Sequence, residues 1–165
     1  MKKLDLKTLV SIGLLIGINI VLSRFVSIKA LNFKISLTFL TLVVAAYLYG
    51  TFSACIVAFF GDFIGALLFP VGPYNFLLSF TAVLSAIVYG LFLYNNLSNK
   101  RILISCFINR FIISLFINTF IISKMYEMNF KALFITRLSS SAIMFVVEIA
   151  VIKLLEGFLK RIRMI

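Results

Sequence analysis

Histidine is absent from this 165-residue chain, acidic side chains number five, and there are only two cysteines and two prolines. Without histidine, His-dependent catalytic triads and most metal sites lack their parts. The acids, Asp5, Asp62, Glu127, Glu148 and Glu156, are scattered, so no carboxylate cluster presents itself for acid–base or metal chemistry. Cys55 and Cys106 sit far apart inside apolar runs and read as small buried hydrophobes, not as a disulfide or redox pair. No glycine-rich loop leads into Gly-Lys-Ser/Thr, which removes a nucleotide site of that type. The expectation is therefore a protein that is not an enzyme and carries no metal or cofactor.

Polar sequence is scarce as well. The hydrophobic set makes up 63% of the chain and mean hydropathy is +1.18, whereas soluble domains are about 45 to 50% apolar. Six helices of about 20 residues would occupy about 120 positions, leaving no room for a soluble domain. Residues 1–165 are read as one all-α integral membrane domain of six transmembrane helices, multi-pass in the cell membrane, with the lipid bilayer as its solvent. The 16 Lys and Arg are spread along the chain and not massed in one patch, which argues against nucleic acid as a partner.

The spans follow from the breaks. Thr8 to Phe25 is helix 1; a signal peptide is the alternative for this run, but no small-residue cleavage site follows it. Ile35 to Leu68 is 34 residues long, and as one helix it would reach about 51 Å across a core of about 30 Å. It must fold back, and Gly50-Thr51-Phe52-Ser53 is the clearest break, giving helix 2 as Ile35 to Tyr49 and helix 3 as Thr51 to Leu68. Both prolines fall in Phe69-Pro70-Val71-Gly72-Pro73-Tyr74, which ends helix 3 in a stiff loop. Helix 4 runs from Phe76 to Tyr94, helix 5 from Ile102 to Ser123 and helix 6 from Leu138 to Phe158, with links at Asn95 to Arg101 and Lys124 to Arg137.

An even number of spans puts both termini on one side. That side carries eight basic residues (Lys2, Lys3, Lys7, Lys100, Arg101, Lys160, Arg161, Arg163) against six on the other (Arg24, Lys29, Lys34, Lys124, Lys131, Arg137), which assigns both termini to the cytoplasm. The outer side stays basic against that trend, fitting either an external anion or ordinary anchoring at the membrane surface.

Charges inside a span are costly and face a partner or a wet cavity. Arg110 and Glu148 fall at depths of about 20 and 15 Å, close enough to pair. Asp62, about 10 Å deep, reads either as an acceptor for a ligand amino group or as the partner of a basic side chain. Lys153 lies near an inner end and can snorkel. Gly13 and Gly17 share a face of helix 1, and the same small-residue spacing recurs at Ala54 and Ala58, Gly61 and Gly65, and Ala82, Ala86 and Gly90. Packing within the bundle explains most such pairs. Phe69, Tyr74 and Tyr126 stand by the outer loops, where aromatic belts form and where a flat ligand could stack.

Several runs together resemble a family. Leu22-Ser23-Arg24-Phe25, Lys34-Ile35-Ser36, Phe69 to Tyr74, Tyr89-Gly90-Leu91-Phe92-Leu93-Tyr94, Asn118-Thr119 and Thr136-Arg137-Leu138 look like the folate-type substrate-binding component of energy-coupling factor (ECF) transporters, from helix 1 to helix 6. The resemblance implies a vitamin-binding subunit, for folate, that works with a membrane coupling subunit and two cytoplasmic ATPases. It places Gly13-Leu14-Leu15-Ile16-Gly17 where the family's Ala-x-x-x-Ala pair meets the coupling subunit, and it makes Arg24, Lys34, Phe69, Tyr74 and Arg137 ligand-binding candidates, with Asp62 added from its position in helix 3. Two stretches depart from the family, Phe76-Leu77-Leu78-Ser79 after the loop tyrosine and Ser139-Ser140-Ser141 after Arg137. A related component for riboflavin or a pantothenate-like acid is the alternative, ahead of a membrane enzyme or a structural membrane protein.

Overall fold

The structure, a computed structural model, describes residues 6–30, 33–70 and 75–163. Six helices carry the fold: α1 (Leu6–Arg24), α2 (Phe39–Tyr49), α3 (Thr51–Leu68), α4 (Phe76–Leu93), α5 (Asn99–Met125) and α6 (Phe130–Arg163). Between α1 and α2 the chain makes a small antiparallel hairpin of β1 (Ile28–Ala30) and β2 (Phe33–Ile35), in which Lys29 pairs with Lys34. α1, α3, α4 and α5 are each long and apolar enough to cross a membrane. Large apolar side chains such as Leu9, Leu14, Leu67, Phe80, Phe116 and Leu154 cover the outside of the bundle, as lipid requires and water would not.

The short connections alternate the helices and give the bundle two ends. One, the loop end, carries the hairpin, the end of α3 with the start of α4, and the 126–129 turn; the other, the terminal end, carries the start of α1, the end of α6 and the Gly50 and 94–98 links. Gly50 joins α2 to α3 alone, with φ of 87° and its N–H returned to Ala46 O, and an added Cβ there would meet the Tyr94 ring at 3.2 Å. Only glycine fits both constraints. Asn75 caps α4 by accepting the Leu77 N–H at 2.9 Å.

Three sequence expectations are corrected. Helix 2 starts at Phe39 and not Ile35, because Phe33–Ile35 forms β2; an apolar run serves a strand as well as a helix. α2 is thus about 16 Å long, half a bilayer core. Its middle is largely buried, with Val43, Ala45 and Ala46 in a core completed by Val57, Ala86, Leu93 and Ile152. Helix 6 starts at Phe130 and not Leu138, so Lys131 and Arg137 lie within a 34-residue helix and the Lys124 to Arg137 link shrinks to a tight turn around Glu127. Helix 5 starts at Asn99, which takes Lys100 and Arg101 out of the link, and its middle, Ile108–Ile117, is π-helical.

Small residues set the closest approaches. A Cβ on Gly90 would lie 2.6 Å from the Thr51 Cα, so α3 and α4 touch backbone to backbone, while Gly61 of α3 receives the Asn19 side chain of α1, 2.9 Å from an added Cβ. Gly13 and Gly17 have nothing within that reach.

Candidate functional site

A cavity of about 490 Å³ lies between the helices, within the range of small-molecule sites. Its lining descends from Pro70, Asn75 and Tyr126 at the loop end to Tyr89 of α4, Asn109 and Arg110 of α5 and Met144 of α6. All six helices contribute. α4 supplies Thr81, Ser85 and Tyr89 from one face at intervals of four, and α5 supplies Asn109, Ser114 and Asn118.

Hydrogen bonds between helices hold several of these side chains. The Asn19 amide donates to the Thr41 hydroxyl at 2.7 Å, joining α1 to α2. The Thr81 hydroxyl donates to Asn118 Oδ1 at 2.7 Å, joining α4 to α5. Asp62 of α3 accepts the Ser79 hydroxyl at 2.5 Å, so its carboxylate is held by a neutral donor and takes no ion pair among the described residues. Arg110 and Glu148 form the ion pair anticipated from their depths, Nε donating to Oε2, and the guanidinium lies 5.8 Å from the centre of the Phe39 ring. Glu148 is completely buried.

Other polar atoms at the cavity have no partner. Arg24 Nε, Arg137 Nη1 and both polar atoms of the Asn109 amide are buried without a hydrogen bond among the described residues. Such atoms cost about 1 to 3 kcal/mol each when left unsatisfied, so each calls for a partner that the described residues do not supply. Arg24 reaches its place by lying across Gly65, where a Cβ would meet its Nε at 3.2 Å.

Of the residues singled out in the sequence, Arg24, Asp62 and Arg137 line this one cavity. Phe69 packs edge-on against Phe25, ring centres 5.1 Å apart, and its neighbour Pro70 reaches the lining. Lys34 is in β2, opposite Lys29. Tyr74 lies outside the described residues; Tyr126 is at the cavity's loop end. Gly13 and Gly17 are exposed on a bare face of α1, away from the cavity. Sequence reasoning passed over Asn109, Ser85 and Ser114 and quoted Tyr89 only within a family run, although the four-residue spacing of polar groups along α4 was a usable signal. Among the described residues, no group of three or more His, Cys, Asp or Glu could hold a metal ion.

Comparison with known proteins gives three findings. Residues 7–160 match the family described as ECF transporter, substrate-specific component. A folate transporter, FolT, of Clostridium novyi (strain NT) is 32% identical over 153 residues, covering 92% of this chain and 88% of that protein. A crystal structure of FolT bound with folic acid superposes with a TM-score of 0.82 at 27% identity, covering 88% of this chain and 89% of that one.

Proposed function

Because this chain belongs to the substrate-specific components of ECF transporters, we propose that it is the membrane-embedded subunit that captures folate for import. The observation that carries this reading is the pair of guanidinium groups, Arg24 and Arg137, that line one cavity, each with a buried nitrogen that has no hydrogen-bond partner among the described residues. Folate is a flat heterocycle joined through an aromatic ring to a tail with two carboxylates. Arginine suits a carboxylate because its planar fork can donate two parallel bonds. The walls between, with Tyr89, Phe39 and Tyr126, suit the rings. The likeness to FolT in sequence and in fold supports the same ligand.

In this reading the loop end faces the outside and both termini the cytoplasm. Transport then requires a membrane coupling subunit and two cytoplasmic ATPases, and the bare face at Gly13 and Gly17 is where the coupling subunit packs, since helices approach closely where side chains are missing. The chain's own work is selective binding.

The test is calorimetric titration of the purified protein with folate, riboflavin and pantothenate. Saturable binding of folate alone is expected, weakened roughly ten- to a hundredfold by Arg24→Ala or Arg137→Ala, as loss of one charge-assisted bond implies. Binding of another vitamin in preference to folate overturns the ligand. Binding of folate indifferent to both substitutions overturns the placement of its carboxylates.

A further inference from the structure

α6 is longer than the membrane it crosses. Its 34 residues rise about 51 Å, against a hydrocarbon core of about 30 Å. Lys131 and Lys153 are both exposed, and between them its charged residues are Arg137, in the cavity lining, and Glu148, which is completely buried. The stretch from one lysine to the other spans about 33 Å, so the part of α6 that faces lipid without charge matches the core in depth. Residues 154–163 therefore continue beyond the core at the terminal end, as an arm of about 15 Å.

One side of this arm is packed and the other is bare. Leu159 is 1% exposed, and Leu155 leans on the same core, which includes Leu93, Leu97 and Ile102 at this end. Glu156, the acidic residue of the arm, borders a separate polar pocket formed with Tyr47 and the Asn95 to Asn99 link. Leu154 and Phe158 are 82% and 63% exposed, a Cβ on Gly157 would meet nothing within 4 Å, and Lys153 and Arg161 are exposed beside them. At about 100° per residue these bare positions fall within about 140° of the helix circumference. Apolar and cationic groups thus share one strip, and the acid is not on it. Leu154 and Phe158 lie about 1.5 and 7.5 Å past Lys153, at the depth of the headgroup layer, which adds about 5 to 8 Å on each side of the core.

We propose that this strip is a docking surface for anionic phospholipid in the leaflet around the terminal end, with Leu154 and Phe158 seated at the acyl boundary and Lys153 and Arg161 donating to the headgroup phosphate. Apolar and basic side chains side by side at that depth suit an anionic interface. The surrounding charge is complementary to it, since Lys7, Lys100 and Arg101 are also exposed at the terminal end. A protein partner fits less well. The bare glycine face proposed for the coupling subunit is on α1, which makes no contact with α6 among the described residues. Bulky exposed side chains also forgo the close helix approach that small ones allow. The inference adds a lipid preference to the proposed importer subunit and depends neither on its vitamin nor on which side of the membrane the termini lie.

The chain contains no tryptophan, so Phe158→Trp places a single fluorophore on the strip. The purified full-length variant is reconstituted into vesicles of equal parts phosphatidylcholine and phosphatidylglycerol, with bromine on the acyl chains of one lipid or of the other. Brominated phosphatidylglycerol is expected to quench the tryptophan more strongly, with a relative affinity of about fivefold for each cation engaged. Adding Lys153→Gln and Arg161→Gln is expected to bring the two lipids to equal quenching without abolishing it, and so is raised salt. Equal quenching by both lipids in the protein that keeps Lys153 and Arg161 overturns the proposal. Quenching by neither takes the strip out of the membrane and overturns it too. Should Phe158→Trp fold poorly, Leu154→Trp reads out the same strip. Leu154→Ser with Phe158→Ser is expected to leave co-purification with the coupling subunit and ATPases intact; its loss would give the strip to a protein partner and overturn the proposal. None of these residues lines the cavity, so failure here leaves the folate reading standing.

Discussion

Two glycine pairs of identical spacing meet opposite fates in this molecule. Gly61 and Gly65 of α3 are filled from outside: Asn19 lies against the first and Arg24 against the second. Gly13 and Gly17 of α1 are bare, with no atom of the described residues within 4 Å of an added methyl. The motif alone therefore says that something approaches closely without saying whether that something belongs to the chain. On α3 the approaching groups are the protein's own cavity residues, so the glycines there help to shape the ligand site. On α1 no described residue fills the space, which is the ground for the coupling-subunit contact proposed above.

This contrast can be broken or sharpened at three positions. The largest effect on the isolated protein is expected for Gly61→Leu, because an added Cβ already lies 2.9 Å from Asn19 and overpacking of this kind costs about 1 to 3 kcal/mol. The thermal midpoint of the purified protein should fall by several degrees; an unchanged midpoint would mean α1 and α3 are not packed as described. Gly65→Ala is milder. Its methyl would meet Arg24 Nε at 3.2 Å, so the expected result is folate affinity lowered roughly tenfold with stability nearly intact, since it is one side chain and not the helix pair that must shift. Loss of stability without loss of affinity would reduce Gly65 to ordinary packing. The smallest effect is expected for Gly13→Leu with Gly17→Leu, which should leave both the midpoint and folate binding of the isolated subunit unchanged while abolishing its co-purification with the coupling subunit and ATPases. Normal co-purification would leave the bare face without a purpose.

Legibility in the sequence followed the punctuation. α3 was readable from Thr51 to Leu68 because Gly50 and Pro70 bracket it, and those residues act through local backbone geometry. The start of α2 was not, since the apolar run begins at Ile35, a residue that a strand and a helix accept equally. The start of α6 was hidden for a different reason. Lys131, Thr136, Arg137 and Ser139 to Ser141 look like a polar loop, yet they lie on a helix, and Arg137, Ser140 and Ser141 turn toward the cavity. The same ambiguity governs the site. Arg24 and Arg137 could be singled out as basic residues beside the outer ends of spans, and Arg110 with Glu148 could be paired by depth. Asn109 could not, because its importance lies in having no partner, and an unmet hydrogen bond has no signature until neighbouring helices are in place.

The π-helical stretch of α5 also bears on where this protein yields. Across the cavity, α3 and α4 are joined at Gly90 and Thr51 by backbone contact, which leaves no slack for relative movement. Beside α4 in the same wall, Ile108–Ile117 relies on the rarer, wider backbone hydrogen-bond pattern. Local opening in a folded protein begins where the backbone is least well secured. In amide-exchange terms the wall is thus expected to be asymmetric: Ile108–Ile117 should exchange ahead of α3 and α4 in the empty protein, and ligand in the cavity should slow that stretch most. Ordering that stretch is a cost that offsets part of the binding free energy.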